Sequence, residues 1–299
     1  MDRFHLMAVF VAVAEEESFA AAARRLRMSP PAVTRAVAFL EQRLGVRLLT
    51  RTTRRVRTTD AGARYLEDAR RILLEADEAD EAAAGINATP RGHLSVTAPV
   101  LFGKSYVMPV ITAYQTAFQE TKVSALFVDR LVNLVEEGLD VGIRIGLLPD
   151  SSLRAIRVGQ VRRVVCASPA YLKRHGRPKS PAELAGHSII AATSISPGSE
   201  WAFATGKEKI SVRLSPRILV NTNDGAMEAA REGFGLTRLM SYQIACELAA
   251  GTLQTLLTEF EETPLPVHVI HREGRDGSGK VRSFVDLAVE RLKGDAALR

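Results

Sequence analysis

Cysteine is nearly absent. Cys166 and Cys246 are the two in 299 residues, eighty positions apart, and they offer no disulfide framework; one falls in an apolar strand and the other in a helix, and both are expected as buried free thiols. No apolar run approaches the ~20 residues that span a bilayer. The apolar stretch near the N-terminus runs into Glu15, Glu16 and Glu17, where a signal peptide would need small residues, so a cytoplasmic protein without membrane association is expected. Catalytic motifs are missing too: there is no Gly-x-Ser-x-Gly, no Walker loop and no Cys-x-x-Cys. The six histidines (His5, His93, His175, His187, His268, His271) are scattered, and His268 and His271, three apart on a strand, face opposite sides, which is poor metal geometry. The glycine-rich run from Gly274 to Gly279 follows no strand-to-helix phosphate pattern. These absences exclude a recognisable enzyme and leave no cofactor and no metal to expect.

Positive charge is present, and it is concentrated. Between Ser18 and Arg57 ten arginines (24, 25, 27, 35, 43, 47, 51, 54, 55 and 57) stand against one acid, Glu41, a formal +9 where the whole chain carries +6. A compact module so charged suits a polyphosphate backbone. From Asp60 to Glu81 the sign reverses, with eight acids against three arginines, a formal −5, so attraction to DNA is confined to the first module.

Within that module Phe4, Met7, Phe10, Val11 and Ala14 recur at helical spacing. Ser18 can cap a second, alanine-rich helix ending near Leu26, and Arg27-Met28 form a turn. Ser29, followed by Pro30 and Pro31, opens a third helix. Val33, Val37, Leu40 and Leu44 form its buried stripe, and Gly45 ends it. The opposite face shows Pro30, Pro31, Thr34, Arg35 and Ala38. In a helix-turn-helix the N-terminal residues of the second helix reach base edges in the major groove; Ser29, Thr34 and Arg35 can hydrogen-bond there, while the prolines give apolar contact. Leu48, Leu49 and Val56 then anchor a hairpin whose tip, Arg51-Thr52-Thr53-Arg54-Arg55, is a wing for phosphates or the minor groove; for Arg51 a pairing with Glu41 is the alternative.

The order of helix, SFAAAARRL and MSPPAVTRAVAFLEQRLGVRLLTRTTRRVRTTDAG resembles the winged helix-turn-helix of LysR-type transcriptional regulators over roughly residues 1 to 65. Leu49 departs from the phenylalanine common in that family but keeps an apolar anchor. Pro30 and Pro31 replace positions that are often polar, so base preference does not carry over.

Thr59 or Asp60 can cap a helix running to about Ala84, ~38 Å at ~1.5 Å per residue. Tyr65, Ala69, Ile72, Ala76, Ala79 and Ala83 alternate by four and three, a seam fit for a partner helix or for packing on the helix's own domain. The resemblance implies pairing, since linker helices of that family join two DNA-binding heads. Gly85 to Gly92, with Pro90, breaks the pattern and marks a hinge.

After residue 92 strand-like and helix-like segments alternate: strands at 94–98, 123–128, 140–145, 163–167, 218–221, 235–239 and 267–271, and helices at 103–119, 131–138 (Leu131, Leu134 and Val135 inward), 226–233 and 279–292. Alternation implies parallel sheets covered by helices. Two such units joined by two crossings make a cleft, with ligands at strand C-termini. Three loops fit: Pro99-Val100-Leu101-Phe102-Gly103, Gly146-Leu147-Leu148, and Asn221-Thr222-Asn223-Asp224. The segments NLVEEGLDVGIRIG and AAREGFGLTRL extend the LysR resemblance into that family's effector domain, itself similar to periplasmic solute-binding proteins. The first loop lacks the hydroxyl side chains that many relatives use for a carboxylate, so an anionic effector on backbone N–H groups and an apolar one both remain open. Trp201 and Phe203 are expected to fill the core of the second unit.

The expected organisation is an α/β protein: a winged helix-turn-helix at 1–59, a linker helix and hinge at 60–91, and a periplasmic-binding-protein-like effector domain at 92–299, with subdomain I at 92–160 and 267–299 and subdomain II at 161–266. The expected function is a sequence-specific regulator of transcription, modulated by a small molecule between the subdomains. Its expected partners are double-stranded DNA, an effector and further copies of itself as dimer or tetramer, with RNA polymerase as a further candidate. A non-specific, nucleoid-type DNA protein is the alternative.

Overall fold

The computed structural model describes residues 2–51, 56–84, 89–148, 153–193, 200–206, 208–272 and 278–298; the side chains of Arg51, Leu74, Asp77, Glu78 and residues 81–84 lie outside that description. The chain divides into two compact units, Met1–Ala88 and Thr89–Arg299.

The first unit begins with α1 (Arg3–Glu16), α2 (Phe19–Arg25) and α3 (Pro30–Leu44). Ser18 accepts a hydrogen bond from the Ala21 N–H at 3.3 Å, as its type at an N-cap predicts. Helix α1 is covered by α2, α3 and the later helix α4, so it buries a wide arc, Leu6, Met7, Val9, Phe10 and Val13, while Phe4 is 47% exposed rather than inward. In α3 the buried stripe is Val33, Ala36, Val37 and Leu40. Leu44, expected to extend it, is exposed, because Gly45 turns the chain there in the left-handed conformation at φ 68°. Strands β1 (Leu49–Arg51) and β2 (Val56–Thr58) pair antiparallel, Leu49 opposite Thr58.

Helix α4 (Asp60–Ala84) has 25 residues. Thr59 starts it by accepting from the Gly62 N–H at 2.9 Å. The expected partner seam needs correction at its first turns. Ala69 is fully buried, and the Tyr65 ring meets Phe10 with centroids 5.6 Å apart. Tyr65 packs on α1 of the same chain, and Ala69 is closed off within a single copy, so neither is open to a partner helix.

The second unit contains β3 (Gly92–Ala98), α5 (Val100–Phe102), a π-helical turn at Gly103–Val107, α6 (Met108–Ala117), β4 (Thr121–Phe127), β5 (Val141–Ile145) and β6 (Leu153–Val161). It continues with β7 (Arg163–Ala167), α7 (Pro169–His175), β8 (Ile189–Ala192), the hairpin β9 (Glu200–Thr205) and β10 (Glu208–Arg213), β11 (Ile218–Val220) and α8 (Asn223–Arg231). The last elements are β12 (Leu236–Met240), α9 (Ala245–Ala249), β13 (Gln254–Leu256), β14 (Leu265–Arg272) and α10 (Gly279–Gly294).

One five-stranded sheet has the order β4-β3-β5-β14-β6, and the other β11-β8-β12-β7-β13. Neither is wholly parallel, contrary to expectation. Strand β14 runs antiparallel to β5 and β6, and β7 antiparallel to β12 and β13. These are the two strands that receive the chain as it crosses, β7 entering the second sheet and β14 returning to the first. Trp201 and Phe203, both 3% exposed, join the core of the second sheet as expected.

Residues 134–138 form a turn and 131–133 no regular structure, instead of the expected helix over 131–138. The Asn133 side chain accepts from the Val135 N–H at 3.0 Å, a local bond that competes with helix, and Arg130 clamps Glu137 through two bonds of 2.6 and 2.7 Å. Leu134 is buried there, but Leu131 is 93% exposed and Val135 is exposed as well.

Candidate nucleic-acid interface and ligand cleft

On α3, Ser29, Pro30, Pro31 and Arg35 are exposed and Thr34 is half-buried, opposite the buried stripe. The Ser29 side chain makes no capping bond; its carbonyl accepts from Ala32 and Val33 instead. Its hydroxyl is therefore not used by the helix. Glu41, on the same helix, braces the wing: its Oε1 accepts from the N–H groups of Leu48 and Leu49 at 2.8 and 3.0 Å, fixing the start of β1 to α3. Arg54, Arg55 and the Arg51 side chain lie outside the described residues, as do residues 85–88 of the expected hinge and the turn at 274–277.

A second acid links three helices. Glu15 on α1 pairs with Arg25 on α2 at 2.7 Å and with Arg70 on α4 at 2.9 Å. Burial raises its carboxyl, but the two guanidinium partners outweigh that and hold it below the usual glutamate value. On α4, beyond the turns held by α1, Ile72 and Ala76 are half-buried and Ala79 is exposed.

In the second unit the three loops lie at strand ends. Of the first, Val100 is 41% exposed, but Phe102 is fully buried in the core of the first sheet rather than open to the cleft as expected. Phe102 stacks on Tyr106 at 4.8 Å, and both meet Tyr242, which follows β12, at 5.2 and 5.9 Å. In the second loop Leu147 is 88% exposed. In the third, Asn221 and Thr222 are exposed and Asn223 is buried. The Thr222 hydroxyl caps α8 through the Gly225 N–H at 3.3 Å. Asn223 donates to Asp129 Oδ2 at 3.3 Å, and Asp129 Oδ1 accepts from the Val100 N–H at 3.0 Å. The first and third loops are thus joined through one carboxylate.

A cavity of about 210 Å³ beside β7, β8, β9 and β12 is lined by Arg163, Arg238, Glu200, Glu262, Trp201 and the alanines 191, 192 and 202. Glu262 accepts from both Arg163 at 3.3 Å and Arg238 at 2.5 Å. Burial draws the Arg238 pKa down, opposed by Glu262. Next to it Arg162 pairs with Glu261 at 2.7 Å. These pairs bind the β6-to-β7 crossing to the segment that returns to β14, so the cavity borders the two crossings that join the sheets.

Two family models match. Residues 4–63 match the bacterial regulatory helix-turn-helix protein of the lysR family, and residues 87–293 match the LysR substrate binding domain.

The chain belongs to the LysR family.

Its relatives are named as regulators. It is similar to an HTH-type transcriptional regulator of Xanthomonas campestris pv. campestris (33% identity, 96% of this chain and 85% of that one). It is also similar to the HTH-type transcriptional regulator CrgA of Neisseria meningitidis (32%, 96% of each). The solved CrgA structure shares 32% identity and a TM-score of 0.63 over 97% of this chain and 99% of that one. The full-length Vibrio cholerae virulence activator AphB matches at TM-score 0.65 over 97% and 99% of the two chains; at 24% identity it speaks for the fold alone. This LysR-type protein is a transcriptional regulator with a DNA-binding head and an effector-binding domain. LysR-type regulators bind DNA and small-molecule effectors and form oligomers, and they are not enzymes. Among the described residues no helix is long and apolar enough to cross a membrane.

Sequence reasoning missed Arg163, Arg238 and Glu262 in this LysR-type chain. They stand about 75 and 24 positions apart along the chain, and only the pairing of β7 with β12 brings the two arginines together. The one available signal was an arginine standing in each of two otherwise apolar strand segments.

Proposed function

We propose that two copies of this regulator pair through the distal part of α4, around Ile72, Ala76 and Ala79, and set two heads on one operator. The exposed N-terminal face of α3 (Ser29, Pro30, Pro31, Thr34, Arg35) reads base edges in the major groove, and the wing arginines Arg51, Arg54 and Arg55 hold phosphates or the minor groove. The supporting observation is the split of α3: Ser29, Pro30, Pro31 and Arg35 stand in solvent while the stripe behind them is closed in the core. The protein acts where the DNA is, in the cytoplasm, and RNA polymerase is its further partner.

The effector enters between the sheets, bounded by Pro99, Val100, Leu101, Gly146, Leu147, Asn221, Thr222 and Asn223, and reaches the cavity at Arg163, Arg238 and Trp201. To act, it must bind one pose of the two subdomains better than another. A pose change at the ion-paired crossings then alters the separation of the heads and the half-sites they hold. Footprinting with a metabolite panel tests this: one compound changes the protected length or the affinity. An unchanged footprint and unchanged affinity across the panel contradict it.

A further inference from the structure

Asp129 stands just beyond β4, and its carboxylate serves both subdomains. Oδ1 accepts from the Val100 N–H at 3.0 Å, at the first residue of the helical run 100–117, and Oδ2 accepts from the Asn223 amide at 3.3 Å, at the first residue of α8. An unpaired backbone N–H at a helix start and a neutral side-chain amide are the donors a ligand carboxylate would seek. In this chain both are engaged by an acid of its own. Burial chiefly, and the negative charge of Asp129 with it, pushes the Tyr242 phenol up, against a hydrogen bond from Gln243.

We propose that Asp129 is the specificity-determining residue of the cleft, a resident carboxylate that ties the two subdomains at this corner and turns carboxylate ligands away from it. A second carboxylate at the Val100 N–H would lie at hydrogen-bond range from Asp129, where like charges repel strongly in a partly dry site. Such a repulsive element is how a site rejects the wrong partner. The corner instead suits the part of a ligand that donates hydrogen bonds or carries positive charge. The assignment rests on the effector reading of the cleft, but its test reads stability and one amide rather than DNA binding, so the two readings can fail separately.

Asp129→Gly removes the whole CH2–COO⁻ side chain and leaves a space of acetate's size. In the full-length protein this variant is expected to melt roughly 3–6 °C lower, and titrated acetate is expected to restore most of that loss while acetamide does not. Wild type is expected to gain nothing from acetate beyond the effect of matched chloride. Acetate that fails to restore Asp129→Gly, or that raises wild type equally, overturns the proposal. If the variant does not fold, the wild-type protein decides: its Val100 backbone amide resonance is expected to stay fixed through an acetate titration, and a saturable shift overturns the assignment.

Discussion

Glu15 and Arg70 meet at 2.9 Å across α1 and α4, and the second oxygen of the same carboxylate holds Arg25 of α2 at 2.7 Å. One acid thus fixes the first half of the linker helix to α1 and to α2, the helix that precedes α3. Glu15→Gln should destabilise the head by about 1 kcal/mol, the size expected for two partly screened pairs. Because the folded head holds this carboxyl below its ordinary value, the stabilisation is full above about pH 4.3 and fades as pH falls below it. Denaturant melts of wild type and variant should therefore differ at neutral pH and converge in acid; a gap that widens in acid contradicts the pairing.

Arg35 and Arg54 should separate base reading from phosphate holding. Arg35→Ala is expected to cost about 1–3 kcal/mol on operator DNA and little on random DNA. Arg54→Ala is expected to weaken both alike and to lower the salt slope by about 1. Competition binding at fixed salt measures both, and equal losses on the two DNAs for Arg35→Ala remove its base-reading role.

Gly62 lies where α4 starts against the base of the wing. A Cβ there would stand 1.9 Å from the Leu48 carbonyl oxygen, which already accepts from the Thr59 N–H at 2.9 Å. Alanine gains about 1 kcal/mol in helix propensity, but relieving an overlap with backbone costs more. Gly62→Ala should thus lower head stability by a net ~1–2 kcal/mol and weaken DNA binding. A variant as stable as wild type would show that the wing base yields freely.

The two thiols should behave differently. Cys166 is buried and its thiol is pushed up to about 12, by desolvation first and by Glu247 second, whereas Cys246 is exposed, contrary to the expectation that both are buried. One equivalent of a chromogenic disulfide reagent should react with the folded protein and a second only on unfolding. Equal rates for both thiols contradict the burial of Cys166.

The head was legible because its signals are local. Ser18 before an alanine run, Pro30 and Pro31 after Ser29, and Gly45 after the leucines each act within one turn of their own residue. The α4 seam was only half legible: Tyr65 and Ala69 carry the right spacing, but spacing alone does not say whether α1 or a second chain covers them. The failed helix at 131–138 shows the same limit: its apolar spacing suggested a buried face, but the Asn133 side chain and the Arg130–Glu137 clamp favour a turn that buries Leu134 and leaves Leu131 and Val135 exposed. In the cleft the three loops were found from strand ends, but Phe102 went to the core, and the Asp129 bridge and the Arg163–Glu262–Arg238 group depend on distant strands meeting. No local pattern encodes those.

The central claim is that a dimeric, arginine-rich head selects particular DNA. Purified full-length protein should be incubated with fragmented DNA from its own genome at physiological salt, and the bound fragments sequenced beside a random-sequence competitor. Recovery of a small set of fragments sharing two related half-sites, lost in Arg35→Ala, is the predicted result. Recovery of all fragments in proportion to their length, by protein shown to be dimeric and folded, would contradict the account.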